Sequence, residues 1–412
     1  MKIAILGFGR EGQALYKYIK KNKKWEIWIL DKNPNTILPS KVKSSLGQNY
    51  LDNLDNFDII FRSPGIPYLL VSQLIKDKSK ISSMTKLFFG FFDSAQDKSK
   101  IIGVTGTKGK GTTSALIHQI LKNSGFKTVL SGNMGKPMID YLAQSKRADF
   151  VVLELSSFQL QDMNVSPDIA VIVDMFPDHL DAHKNLKEYY DAKSNIGKYQ
   201  KKSDVIFYYK NNPVSARIAS KSPSIKKPIL PKNNNLKKNF EMASAVAKYC
   251  GCPQNIIEKT IKNFKGLEHR LEFVKSIDGV SFYNDSAGTN PIATIAAIQS
   301  FNEPIVLIAG GKDKGFDYGS LGLAIKNSTV KNVILFGENK NKILKTINSK
   351  NCSCEMAENI KEAVNAALIK AKEIRKMVKS VVVLFSPASA SFDMFNNYAE
   401  RGERFKSAVD RI

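Results

Sequence analysis

Long hydrophobic runs are missing from this 412-residue chain. A membrane-spanning helix needs about 18–20 consecutive apolar residues, and the longest candidate, LFFGFF at 87–92, falls far short. Cysteine is scarce: Cys250, Cys252, Cys352 and Cys354 make two C-x-C pairs, too few for a disulfide framework. That spacing is tighter than the usual metal half-site, so reduced thiols are expected. The N-terminal stretch carries one Lys before a strand-like run and shows no signal-peptide pattern, so a cytoplasmic location is expected. Acidic residues are outnumbered, 38 against 62 Lys and Arg, for a formal net charge of +24. The excess is mostly Lys, is scattered, and is not interleaved with aromatics. It therefore reads as solvated surface, with no nucleic-acid partner expected. Hydrophobic residues make up 43% of a chain too long for one ordinary core, so two or three domains are expected.

Strand-like and helical segments alternate along the whole length, which implies mostly parallel α/β sheets. KIAILG (2–7), WEIWILD (25–31) and DIIFRSPGIP (58–67) read as strands of a first unit, and the polar stretch 93–100 as a linker. IIGVTG (101–106), a helix over 112–125, FVVLELSS (150–157) and IAVIVDM (169–175) form a second unit. Residues 211–239, rich in Lys, Pro, Asn and Ser, read as loop, followed by a helix from Phe240 to Cys250. Beyond Leu267, VSFYNDS, PIVLIAGG, NVILFG and SVVVLFSP are four further strand-like segments. The expected architecture is three α/β domains in series: a Rossmann-like N-terminal domain (1–97), a central P-loop ATPase-like domain (98–267) and a C-terminal Rossmann-like domain (268–412).

Two glycine motifs open these units. GFGREG places Gly7, Gly9 and Gly12 after a strand, with Asp31 some 20 residues on, the outline of a dinucleotide-binding turn and a weak signal alone. GVTGTKGKGTTS is stronger. Its glycines (103, 106, 109, 111) let backbone N–H groups face phosphate oxygens, Lys110 adds a point charge, and the following helix aims its positive end at the same anion. Thr112 or Thr113 can offer a hydroxyl to Mg²⁺. Val104 stands where a Walker A motif has its first Gly. Glu154 ends a neighbouring apolar run, as a metal-holding acid would, with Ser156, Ser157 and Gln159 beyond it. DMFPDHLDAH adds Asp178, His179, Asp181 and His183 at the next strand end. Oxygen ligands and one His suit Mg²⁺ better than zinc. In the last unit, Arg270 could reach a nucleotide phosphate. Loops carrying Asp285 and Thr289, Lys312 and Lys314, and Ser389 and Ser391 follow three strands and suit an acidic substrate.

TGTKGKGTT, LELSSFQL, DHLDAH, HRLE, NDSxxTNP, GGKDKG and SPASASFDMFNNYAERGERF occur in the order found in the Mur ligases, and the chain resembles these over essentially its whole length. The nearest type is the one that adds D-glutamate to UDP-N-acetylmuramoyl-L-alanine. The resemblance implies an ATP-dependent amide ligase of peptidoglycan precursor synthesis, working through an acyl phosphate. It makes GFGREG a UDP-side turn rather than an NAD site. It assigns Gly9, Arg10, Asp31, Asn133 and Ser156 to the UDP-substrate, and Gly106, Thr107, Lys108, Gly109, Lys110, Gly111, Thr112, Thr113, Arg270 and Asp285 to ATP. Thr112, Glu154, His179 and Lys193 would hold magnesium, two ions in all, with Lys193 carbamylated. Lys110, Glu154, His179 and Lys193 form the implied catalytic set. Thr289, Lys314, Ser391 and Tyr398 match the D-glutamate contacts. A monomer is expected.

The chain departs from that pattern in three places. Ala287 and Gly288 replace a Lys-Ala pair, which removes a cation from the amino-acid side. Asp174 stands where the family has Asn. The Gly-x-His-Asn motif expected before Asn239 is not legible in PKNNNLKKN. Two alternatives stay open: a related Mur or folylpolyglutamate-type ligase with another amino acid or acceptor, and a UDP-sugar-binding homologue without catalysis.

Overall fold

The first apolar run becomes the centre of a five-stranded sheet. Strands β1 (Lys2–Leu6), β2 (Glu26–Asp31), β3 (Lys43–Leu46), β4 (Ile59–Arg62) and β5 (Ile81–Ser82) lie in the order β3-β2-β1-β4-β5, all parallel. This is the doubly wound order, which reverses direction between β1 and β4. Ile3, Ala4, Ile5 and Leu6 are fully buried because both sheet faces are covered. The computed structural model describes residues 1–92, 99–133, 136–177, 183–232, 237–264, 266–347 and 352–412. The expected linker at 93–100 lies mostly outside them.

A second sheet takes β6 (Lys100–Thr105), β7 (Thr128–Gly132), β8 (Phe150–Glu154), β9 (Ile169–Ile172), β10 (Val205–Tyr209) and β11 (Ile225–Ile229) in the order β11-β10-β9-β6-β8-β7, again all parallel. Side chains of β6, β8 and β9 alternate between two cores. Ile102, Val104, Val152 and Val171 meet Leu116, Ile117 and Met242 on one face. Ile101, Val151, Leu153 and Ile172 meet Ile196 and Ile218 on the other. Each such residue contributes about 1.5–3 kcal/mol by leaving water.

The described part of the loop expected over 211–239 holds regular elements. Asn212 caps a helix, Pro213–Lys221, by accepting from Ser215 N at 3.0 Å, with Pro at its first turn. β11, IKKPI, is an exposed edge strand whose Lys and Pro residues hide it from a hydrophobicity pattern. The next helix likewise starts at Lys237, earlier than Phe240.

These two sheets belong to one unit, Met1–Phe264, and Lys265–Ile412 forms a second. Within the first unit the sheets are joined through Arg62 at the end of β4. It is 2% exposed, donates to Ile66 O at 2.6 Å and Phe158 O at 2.8 Å, and lies 3.4 Å from the Asp162 carboxylate.

In the second unit β12 (Glu272–Ile277), β13 (Val280–Asn284), β14 (Ile305–Gly310), β15 (Val330–Phe336), β16 (Ser353–Met356) and β17 (Val381–Phe385) lie in the order β12-β13-β17-β14-β15-β16. β12 pairs antiparallel with β13, and the rest are parallel. The expectation of mixed α/β structure with parallel sheets is met. The four strands read from the sequence are its interior. The partly exposed β12 and β16 were missed because edge strands carry less apolar pattern.

Arg62→Ala should lower unfolding stability by about 3–5 kcal/mol, because it strands the Asp162 carboxylate in the interior. Urea unfolding of the variant and wild type measures the difference.

Candidate active site

The first sheet reverses between β1 and β4, and the two loops leaving those strands are fastened together there. Gly7 has φ +84°, and its carbonyl accepts from Ser63 Oγ at 2.9 Å, tying GFGREG to SPGIP. A Cβ on Gly12 would meet Gly7 O at 2.1 Å, so the helix can start this close to the strand only with glycine there. Gly9 caps that helix with open space where a Cβ would stand and Arg10 is exposed, which leaves the positive helix end open to an anion. Asp31 accepts from Phe8 N at 2.6 Å and from Asn33 N at 2.9 Å, so its carboxylate braces the turn.

In the second sheet, β6 runs straight into the stronger glycine motif. Gly106 (φ +154°) lies against β9's continuation, where a Cβ would strike Val173 at 2.4 Å. Thr107 N donates to Asp174 O at 2.5 Å, and Thr107 Oγ1 lies 2.8 Å from Tyr189 OH. Gly109 (φ +87°) is the N-cap of the helix Lys110–Asn123, which includes Gly111, Thr112 and Thr113. Lys108 is exposed and bridges to Asp174 through its backbone. Lys110 Nζ donates to Thr107 O at 3.1 Å. The buried Lys193, from the helix Leu186–Lys198, donates from Nζ to Gly106 O at 2.8 Å. Sequence reasoning alone would leave Lys193 as a surface lysine. The structure brings it onto the turn.

Glu154 ends β8, beside this turn in the sheet, because β8 pairs directly with β6. The residue is 2% exposed. Asn133 Nδ2 donates to its Oε1 at 3.0 Å, and Oε2 has no hydrogen-bond partner among the described residues. A desolvated carboxylate oxygen without a donor is costly and is a natural cation ligand, so these residues fit Mg²⁺. Asn133, expected on the UDP-substrate, thus also holds the Glu154 carboxylate. Ser156 has a local duty too: it forms a capping box with Gln159 at the helix Ser157–Leu160. His179, Asp178 and Asp181 lie outside the described residues. His183 stacks on Phe158 at 5.0 Å and contacts Ser157 Oγ at 2.9 Å.

In the second unit the loops leaving the neighbouring strands β13 and β17 are laced together by Arg401, and the β14 loop joins them through Lys312 N. Fully buried, Arg401 donates to Ser286 O, Ser389 O and Ala390 O at 2.9–3.0 Å and to Ser286 Oγ at 3.1 Å. Ser286 Oγ in turn donates to Tyr398 O at 2.7 Å, and Lys312 N to Ala390 O at 2.9 Å. Lys314 is exposed with its ammonium 5.4 Å from the Phe392 ring centre. Ser391 is buried, Thr289 half-buried, and Tyr398 42% exposed at the start of the last helix. Arg270 is exposed, and beside it Leu271 N donates to Asp285 at 3.3 Å.

Residues 104–265 match the Mur ligase middle domain, and 269–388 the Mur ligase glutamate ligase domain. Over 455 aligned positions the chain is 36% identical to the UDP-N-acetylmuramoylalanine–D-glutamate ligase of Acetivibrio thermocellus, covering 100% of this chain and 96% of that protein. The chain belongs to the Mur ligase family. A ligase of the same name from Clostridium botulinum is 33% identical, with 100% and 97% covered. Among solved structures, the MurF ligase of Thermotoga maritima in complex with ADP superposes with a TM-score of 0.57 at 16% identity, over 99% of this chain and 95% of that one.

Two sets of contacts in this Mur ligase escaped sequence reasoning. Arg401 reaches backbone carbonyls and Asn133 reaches the Glu154 carboxylate, partners that no local spacing reveals. The departure at 174 also finds its explanation: the Asp174 carboxylate pairs with Lys238 Nζ. Among the described residues, the metal-like group Glu268, His269 and Glu403 is already served by the Lys406 ammonium, 2.7 Å from both glutamates.

Asp285 is pushed up to about 6 from the ordinary 3.8, chiefly by burial, against the lowering effect of Ser386 Oγ at 2.6 Å. Between these values the folded state holds a proton that the unfolded chain has lost, so stability falls as pH rises through that window. Asp285→Asn removes this slope. Melting curves between about pH 4 and about pH 7 should show the variant gaining relative to wild type as pH rises.

Proposed function

We propose that this Mur ligase joins D-glutamate to UDP-N-acetylmuramoyl-L-alanine at the expense of ATP, extending a peptidoglycan precursor. The observation that carries the ATP half is the glycine turn pressed against a strand end, with the buried, half-unpartnered Glu154 on the adjoining strand. The names of the full-length relatives support the amino acid and the acceptor.

The alanyl carboxylate attacks the γ-phosphorus of ATP: a C–O–P linkage forms, the bond to the β-phosphate oxygen breaks, and ADP leaves. The amine of D-glutamate then attacks the acyl carbon, phosphate departs, and the amine proton goes to solvent. Both steps gather negative oxygens in one place, so positioning and fixed positive charge do most of the work. Backbone N–H groups of Gly106, Lys108, Gly109 and Gly111, together with the side chains of Thr107, Lys110, Thr112 and Thr113, hold the phosphates. Arg270 and Asp285 add nucleotide contacts. Thr112, Glu154, His179 and a carbamylated Lys193 are the residues that would hold two magnesium ions. When bound, these supply charge neutralisation at the phosphate oxygens. Carbamylation suits the position of Lys193, since it replaces an ammonium that would repel a cation beside Gly106. Gly9, Arg10, Asp31, Asn133 and Ser156 serve the UDP-substrate, and Thr289, Lys314, Ser391 and Tyr398 the D-glutamate. On this reading residues 1–97, 98–267 and 268–412 act as UDP-binding, ATP-binding and amino-acid-binding domains, in a cytoplasmic monomer.

ADP release should require UDP-N-acetylmuramoyl-L-alanine and D-glutamate together. Stimulation by another amino acid but not by D-glutamate would overturn the assignment. Lys193→Ala should lose at least about 100-fold in rate, with partial recovery on adding a short carboxylate. Carbon-13 NMR of wild type in labelled bicarbonate should give a carbamate resonance that the variant lacks.

A further inference from the structure

The phosphate turn has a carboxylate at its shoulder. Asp174 follows β9, its carbonyl receives Thr107 N, and its backbone bridges to Lys108. Its side chain is 18% exposed, so solvent screens it only partly. A negative charge there opposes the triphosphate that the turn is built to receive.

Lys238 answers that charge. Its ammonium, 21% exposed, pairs with the Asp174 carboxylate and lies 5.8 Å from the Tyr209 ring centre. The backbone that carries it is held in place: Tyr209 OH donates to Lys238 O at 3.0 Å and to Asn239 Oδ1 at 3.3 Å. Asn239 is buried and fills the space beside Gly109, where a Cβ would stand 2.5 Å from its Oδ1. Lys238 is therefore fixed by the same packing that seats the helix N-cap of the phosphate turn.

We infer that the Asp174–Lys238 pair determines ATP affinity, with Lys238 as a positioning residue that cancels the Asp174 charge at the phosphate turn. The inference rests on the ATP reading given above. It predicts that the charge of Lys238 matters only because Asp174 is present.

The test is a double-mutant cycle on the full-length protein, reading ATP binding by calorimetry and KM for ATP and for the UDP-sugar by ADP release. Lys238→Met should weaken ATP by about tenfold and leave the UDP-sugar KM unchanged. Asp174→Asn should hold or tighten ATP. The double variant Asp174→Asn, Lys238→Met should return ATP affinity to within about twofold of wild type. An unchanged ATP affinity in Lys238→Met, or a double variant as weak as Lys238→Met, overturns the inference. So does a UDP-sugar KM that rises in parallel, which is what general loosening would give. Where Lys238→Met does not fold, Asp174→Asn decides: tenfold weaker ATP binding overturns the proposal, and equal or tighter binding supports it. If wild type itself neither binds nor consumes ATP, the ATP reading fails, a result distinct from all of these.

Discussion

The first unit depends on how closely one stretch of backbone can approach its neighbours. Gly106 leaves no room for a side chain against Val173, and Thr107 donates its N–H to Asp174 O. That contact fixes where the turn ends and the helix begins. Lys110, Lys193 and Glu154 are then set around it by strand register and one helix face. The chemistry needs charges held without rearrangement, and hydrogen bonds to main chain supply that more rigidly than side-chain pairing alone.

Where regular sheet hydrogen bonding stops, buried guanidinium groups take over. Arg62 collects carbonyls from SPGIP and from Phe158, and Arg401 collects them from loops after β13 and β17. Loops at strand ends carry carbonyls that no neighbouring strand satisfies. A planar group with five donors can satisfy several at once. The opposite solution appears at Asp285, where a carboxylate is buried with a single hydroxyl, one backbone N–H and more distant cations, and its proton affinity rises as a result. The same loop needs Gly288 because a Cβ would sit 2.6 Å from that carboxylate.

Much of this was legible in the sequence. Buried parallel strands are continuous apolar runs, and the glycine turns stand at their ends, so β1, β6, β8, β9 and the interior of the last sheet were readable. The motif train carried the kinship. Several of the unread strands share a physical cause, although the buried β10 was also left unread. β11, β12 and β16 are partly solvated and lack the apolar signal. The helix Pro213–Lys221 lies in a stretch whose Pro and Asn read as loop formers, although Asn before Pro is also a helix start. Asn133 on Glu154, Arg401 on Ser286 and Lys238 on Asp174 are contacts between residues 21 to 115 positions apart, set by topology and by no local pattern.

The outermost strand of the second sheet has a consequence beyond architecture. β11 presents Lys226, Lys227 and Pro228 in succession at an open edge, with one side paired to β10. Pro228 has no N–H to offer an incoming strand, and the two ammonium groups would have to be stripped of water before another chain could dock. Beside the apolar interior strands of this sheet, that short lysine-proline border disfavours edge-to-edge pairing with another chain.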